Sequence, residues 1–290
     1  MLTVSDYCKN KYGEKLYKIS LSGGFTCPNR DGTLGNRGCI FCSEGGSGDF
    51  AESASLSVAE QIDLAKTRLE KKFHGNHYIA YFQAYTNTYG SLEYLKSLYD
   101  PVADREDIKV ISIATRPDCL PKETLEYLGE LQNKKDLWVE LGFQSCNEKS
   151  VKYIRRGYEN EVYKDAVLCL NELGIHTITH IIVGLPGETK EDIIKSVRYA
   201  VAAGTKGIKL QLLHVLKGTD LADDYEKGLF KVLEEDEYFD IIKACLKEIP
   251  DDVVIHRLSG DGPKSILIAP MWSANKREVL NRINKLKSED

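Results

Sequence analysis

His176-Thr177-Ile178-Thr179-His180-Ile181-Ile182-Val183 runs into Gly184-Leu185-Pro186-Gly187 and then into Glu188-Thr189-Lys190-Glu191-Asp192-Ile193. Eight residues rich in β-branched types end at a turn built from Gly and Pro. Thr189 then stands where a helix needs a side-chain oxygen for its first free N–H groups. Ile193, Val197 and Val201 follow at helical spacing, so the stretch reads as strand, turn and amphipathic helix.

The same unit recurs on either side. Leu16–Leu21 reads as a first strand ending at Gly23-Gly24, and Ser57-Val58-Ala59-Glu60 is a capping box for a helix carrying Ile62, Ala65 and Leu69. Tyr78–Phe82 is a second strand with a helix from Ser91 to Tyr99 behind it. Lys109–Ala114 is a third, before a helix that Pro121 starts in its first turn. Leu137–Phe143 is a fourth, and the helix after it begins near Asn160, carries Val162, Ala166, Leu170 and Leu173, and stops at Gly174. Gly207–Leu213 is a sixth. Such alternation without adjacent hairpins predicts a parallel sheet covered by helices, either a partial barrel or a doubly wound sheet. Residues 217–290 add a helix (Glu234–Lys247), a strand-like run (Val253–His256) and a basic C-terminal helix. The expectation is one domain over 1–290, with a core of about 14–216 and an extension on the same core.

Composition narrows the classes. At 42% hydrophobic and 29% charged, the 290 residues are ordinary globular usage, which excludes disordered and collagen-like chains. No run of 18 apolar residues is present, and Met1–Asp6 lacks the basic and apolar regions of a signal peptide. A soluble cytoplasmic protein with no membrane association is expected. A net charge of -5 argues against a globally basic nucleic-acid binder, while 39 Lys and Arg leave room for a local basic groove. Three clusters qualify: Lys66 to Lys72, Lys152 to Arg156 and Lys276 to Lys287.

Of the eight cysteines, Cys8, Cys119, Cys146, Cys169 and Cys245 stand singly. Cys169, on the apolar stripe of its helix, reads as a buried, inert thiol. The other three share one loop after the first strand, Cys27-Pro28-Asn29-Arg30-Asp31-Gly32-Thr33-Leu34-Gly35-Asn36-Arg37-Gly38-Cys39-Ile40-Phe41-Cys42. Glycines let this chain wrap closely, and Arg30 and Arg37 are placed to favour thiolates. Spacing leaves two chemistries open. One is a structural zinc, which needs a fourth ligand such as Cys8, His74 or His77. The other is an iron–sulfur cube with one iron free for a substrate or cofactor.

This loop resembles that of the radical S-adenosylmethionine (radical SAM) superfamily, in the branch related to the catalytic subunit of Elongator. Together with Tyr81-Phe82-Gln83-Ala84-Tyr85-Thr86-Asn87-Thr88 it is similar to the YhcC/YtqA-like family. The likeness continues through Ala114-Thr115-Arg116-Pro117-Asp118, Glu140-Leu141-Gly142-Phe143-Gln144-Ser145, His180 to Gly187, and Leu212 to Thr219, covering nearly the whole chain. Eleven residues separate the first two cysteines, more than in the commonest loop of the superfamily, and the Elongator-like branch shares that lengthening.

The resemblance implies a partial (β/α)6 TIM-like barrel with a C-terminal extension. It implies a [4Fe-4S] cluster on Cys27, Cys39 and Cys42, and S-adenosylmethionine (SAM) across the carboxyl ends of the strands. Gln83, Tyr85 and Asn87 fall where the superfamily contacts the SAM amino group, Gln144 where it meets the ribose, and Arg156 where it meets the carboxylate. His180, at a strand end where relatives contact ribose or substrate, is the catalytic candidate; a histidine in an apolar strand is otherwise a satisfied core residue. Glu140 shares the inward face of its strand with Gln144, and a carboxylate there is costly unless paired. Arg116 and Asp118 read equally as a surface ion pair. The implied reaction is reductive cleavage of SAM to a 5′-deoxyadenosyl radical, fed by a low-potential donor such as ferredoxin or flavodoxin. By the same resemblance the substrate is the tRNA wobble uridine. The residues left over do not accommodate an acetyltransferase domain, so the expected task is remodelling a C5 side chain such as carboxymethylaminomethyl. The alternatives are a radical enzyme acting on a small metabolite and a zinc-binding adaptor.

Overall fold

Seven strands lie side by side in one curled sheet, every neighbouring pair parallel. They are β1 (Tyr17–Leu21), β2 (Tyr78–Phe82), β3 (Ile108–Thr115), β4 (Asp136–Gln144), β5 (His176–Val183), β6 (Gly207–Leu212) and β8 (Val254–Arg257), in that spatial order. The short β7 (Val215–Leu216) pairs antiparallel with β9 (Leu267–Ala269) in a separate two-stranded sheet. The computed structural model describes residues 1–46, 51, 53–69, 75–260 and 262–288.

Parallel strands need crossovers, and the crossover helices cover the outer face of the sheet. They are α2 (Val58–Leu69), α3 (Leu92–Ala103), α4 (Lys122–Lys134), α6 (Asn160–Glu172) and α7 (Lys190–Ala202). Leu95, Leu128, Tyr163, Val167 and Val197 from these helices meet Ile111, Val139, Phe143 and Ile181 in the main core. The α2 capping box forms, Glu60 accepting from the Ser57 N–H at 2.8 Å, and α7 closes its own box with Thr189 and Asp192. This is the expected half-barrel, with its polar loops gathered at the carboxyl ends of the strands.

Three features depart from expectation. The extension contributes β8 as a seventh strand beside β6, so the sheet does not stop at Leu213. Helices α1 (Val4–Tyr12) and α5 (Glu148–Tyr153) are present, although α1 is too polar and α5 too short to announce itself by apolar periodicity. Cys169 is only half-buried, because the α6 face against the sheet is formed by Tyr163, Ala166, Val167 and Leu170.

At the amino end of the strands, α1 closes the barrel, and Cys8 lies fully buried among Ile79, Val110, Trp138 and Ile178. Trp138 also meets the His176 and His256 rings at 5.4 and 5.1 Å between centroids. Removing so large a buried ring should cost about 3–5 kcal/mol. Urea unfolding of Trp138→Ala should therefore show a clear fall in midpoint; an unchanged midpoint contradicts this packing.

Candidate functional site

The cysteine loop is held by its own backbone. The Cys27 carbonyl accepts from the Arg30 and Asp31 N–H groups, Gly38 N–H donates to the Asn29 carbonyl at 2.7 Å, and Cys42 N–H donates to the Cys39 carbonyl at 3.0 Å. Gly38 has φ +74°, a backbone conformation that favours glycine, and its missing Cβ leaves room for the Arg30 guanidinium, whose Nε would lie 2.9 Å from one. Arg30 then donates to the Cys42 and Ser43 carbonyls at 2.9 and 2.6 Å. Buried Asn29 donates to the Arg155 carbonyl at 2.8 Å and to Cys39 Sγ at 3.3 Å. Arg37 takes no part: it is well exposed and pairs with Asp220.

Cys27, Cys39 and Cys42 line a cavity of about 270 Å3 over the carboxyl ends of the strands. Burial and the neighbouring Cys42 and Cys27 push the Cys39 thiol up to about 12. Three thiolates collected here therefore require positive charge, as a bound metal group supplies. Among the described residues, no three His, Cys, Asp or Glu side chains stand close enough to hold a single ion. A mononuclear zinc, with Zn–S near 2.3 Å, needs that convergence, whereas a cube is a larger body whose ligands stand farther apart. Cys8 lies at the opposite end of the barrel, His77 is bonded to Glu14, and His74 lies outside the described residues. The thiol set fits a cluster better than zinc.

The cavity floor comes from inward positions on the strands. Glu140, Gly142 and Gln144 alternate along β4 and all face it. Glu140 is buried with both oxygens taken: Oε1 accepts from Lys18 Nζ at 3.2 Å and Ser112 Oγ at 2.8 Å, and Oε2 from His180 Nε2 at 2.7 Å and Lys209 Nζ. Burial alone would raise this carboxyl, but Lys18 and Lys209 override it and hold Glu140 well below the usual range. Gln211 donates to His180 Nδ1 at 3.0 Å. Burial and Lys209 push His180 down to about 4, so it is a neutral imidazole carrying its proton on Nε2.

Gln83 faces the cavity with a buried Nε2 that has no partner among the described residues, a donor left for a bound group. Tyr85 also lines it, its hydroxyl held by the Glu44 carbonyl. Gln144 reaches the rim from a positive φ of 65° at an irregularity in the β4–β5 register.

Two expected SAM contacts are placed differently. Asn87 is fully buried and does not line the cavity; its Nδ2 donates to the carbonyls of Ala84 and Ala114 at 2.9 Å each, bracing the loop after β2. Arg156 reaches the cavity wall, but its donors serve the carbonyls of Phe143, Ser145 and Tyr158 and the Asn160 amide oxygen, at 2.7–3.0 Å. Its fork clamps backbone, leaving nothing for a carboxylate. Arg116, read as part of a surface pair, is instead buried at the cavity and bidentate to Asp118 at 2.9 and 2.7 Å. Its Nη1 makes no hydrogen bond among the described residues. Lys18, Lys209, Gln211 and Arg257 were missed, although Lys209 and Gln211 alternate with apolar residues in Gly207–Leu212 as Glu140 and Gln144 do in β4. Charged residues at period two inside an apolar strand were the available signal.

A family model of the radical SAM superfamily matches residues 32–200, and one of the Radical_SAM C-terminal domain matches residues 205–288. The chain belongs to the radical SAM superfamily. It is 42% identical to YtqA of Bacillus subtilis (strain 168) over 283 residues, 98% of this chain and 88% of YtqA. It is 25% identical over 173 residues to the tRNA uridine(34) acetyltransferase of Methanocaldococcus infernus, 59% of this chain and 32% of that protein. In fold it is similar to the solved Elp3 of Methanocaldococcus infernus, with a TM-score of 0.67 at 19% identity, covering 92% of this chain and 59% of that one. The radical SAM superfamily characteristically binds a [4Fe-4S] cluster and SAM. No helix among the described residues is long and apolar enough to cross a membrane.

Three outcomes follow from this geometry. Arg156→Ala leaves buried carbonyls unpaired and should lower unfolding stability by about 3 kcal/mol; a variant of native stability with only weakened SAM binding would contradict the clamp. Burial also pushes His176 down to about 4. Both histidines stay neutral in the folded chain while the unfolded chain takes up protons, so stability should fall as pH drops from about 6.5 toward 4. Nitrogen-15 NMR at pH 6 should show neutral His180 protonated at Nε2; an imidazolium there contradicts the assignment.

Proposed function

We propose that this radical SAM enzyme remodels the C5 side chain of the tRNA wobble uridine, a group such as carboxymethylaminomethyl. The observation that carries the reading is the convergence of Cys27, Cys39 and Cys42 with Gln83, Gln144 and the Glu140–His180 floor on one cavity. Cys27, Cys39 and Cys42 hold the cluster, Gln83 and Gln144 contact SAM, and the floor receives the group to be changed. When bound, the cluster and SAM supply one-electron cleavage and hydrogen abstraction from an unactivated carbon. The protein's part is to orient the partners and exclude water. A low-potential donor such as ferredoxin or flavodoxin provides the electron.

The tRNA assignment is supported by motifs shared with the Elongator-like branch and by the similarity to a tRNA uridine(34) acetyltransferase. The basic clusters contribute unequally. Arg156 is occupied with backbone, Arg155 with Asp220, and Lys66 with Asp107, residues 70–72 lie outside the described residues, and the C-terminal helix (Lys276–Ser288) presents the exposed Arg277 as a phosphate contact.

The test is 5′-deoxyadenosine release by anaerobically reconstituted protein with SAM and reductant, with and without tRNA from cells lacking this gene. Release should be strongly stimulated by tRNA. Release indifferent to tRNA would remove the tRNA assignment, and no release from cluster-loaded protein would remove the radical one. In parallel, Cys39→Ala should lose iron and sulfide whereas Cys169→Ala should retain both; the reverse pattern contradicts the ligand set.

A further inference from the structure

Four guanidinium groups line the cavity, and three are committed. Arg30 serves the Cys42 and Ser43 carbonyls, Arg116 is bidentate to Asp118, and Arg156 clamps backbone carbonyls. Arg257 is the fourth. It ends β8, in register with Lys209 on β6, and faces the cavity beside Gln211 and His180. Among the described residues, no carboxylate pairs with it.

The charge around it is lopsided. Lys18, Lys209 and Arg257 gather about one carboxylate, and every oxygen of Glu140 is already taken by Lys18, Ser112, His180 and Lys209. Both lysine ammonium groups also lie 4.6 Å from the centre of the Tyr81 ring, whose face adds weak attraction but no countercharge. Burial draws the Lys209 ammonium below its usual range despite Glu140, and Lys18 and Arg257 add to that. His180 is neutral and adds no countercharge. The Arg257 guanidinium is half-buried and meets no carboxylate among the described residues, so an anion brought to it gains two parallel charge-assisted hydrogen bonds.

We propose that the floor of the barrel is an anion subsite in which Arg257, flanked by Gln211, takes a carboxylate carried by the substrate. This deepens the function proposed above and rests on it for the nature of that substrate. Arg257 is then the residue by which the enzyme distinguishes a carboxylated C5 side chain from the same side chain without its carboxylate.

The experiment measures binding of two nucleosides, 5-carboxymethylaminomethyluridine and 5-aminomethyluridine, to reconstituted holoenzyme with SAM present. Wild type, Arg257→Gln and Arg257→Lys are compared, and SAM affinity is measured for each. Wild type should favour the carboxylated nucleoside by about tenfold or more. Arg257→Gln should lose that preference with SAM affinity unchanged, and Arg257→Lys should keep part of it. A preference that survives in Arg257→Gln, or a matching loss of SAM affinity, overturns the assignment. If neither nucleoside binds wild type, N-methylglycine decides by thermal shift. Stabilisation of wild type but not of Arg257→Gln keeps the subsite, and an equal shift in both, or none in either, removes it; the tRNA reading stands or falls separately on tRNA-stimulated 5′-deoxyadenosine release.

Discussion

Glu140 carries its carboxylate into the middle of the barrel, and donors from four other strands meet it there. Lys18 comes from β1, Ser112 from β3, His180 from β5 and Lys209 from β6. An isolated carboxylate at that depth would cost several kcal/mol. The strands can therefore curl around this point only in a register that brings all the donors inward together. A one-residue slip in any of them would turn its donor outward. The carboxylate thus pins the relative register of most of the sheet from the inside, while the apolar helices press on it from outside.

The same network prepares the cavity above it. Because Glu140 is saturated, it adds no free negative charge to the floor, and because Gln211 occupies Nδ1, His180 is fixed as a neutral donor. What faces the cavity from below is consequently a polar floor with a cationic excess. From above come three thiols, gathered by a loop whose turns are closed by Arg30 and Asn29. The thiols call for positive charge and the floor calls for negative charge. A cluster at one end and an anionic group at the other complete both demands within one small space.

Much of the scaffold was legible in sequence because buried parallel strands leave continuous β-branched runs. β2 and β5 run over the expected residues, and β1, β3, β4 and β6 lie within a residue of theirs. β8 was less visible as part of the sheet, since four residues in an extension carry no sign of their partner. At the site, the cysteine loop was readable from spacing and glycines, and Glu140 from the cost of a carboxylate in an apolar strand. Asn87 and Arg156 show the limit of that approach. Side chains rich in donors suit a ligand and a backbone carbonyl equally well, and only the fold tells which acceptor lies within reach. Lys18 and Lys209 were passed over for the opposite reason: lysine in a strand is taken for a surface residue, whereas here each ends on Glu140.

The dependence on Glu140 has a direct test in equilibrium unfolding of Glu140→Gln against the double variant Glu140→Gln/Lys209→Met. Neutralising the carboxylate alone strands two ammonium groups and should cost about 3–5 kcal/mol, while removing Lys209 as well should restore a substantial part of that loss. A single variant as stable as wild type, or a double variant with purely additive losses, would contradict the claim that this buried ion network holds the barrel together.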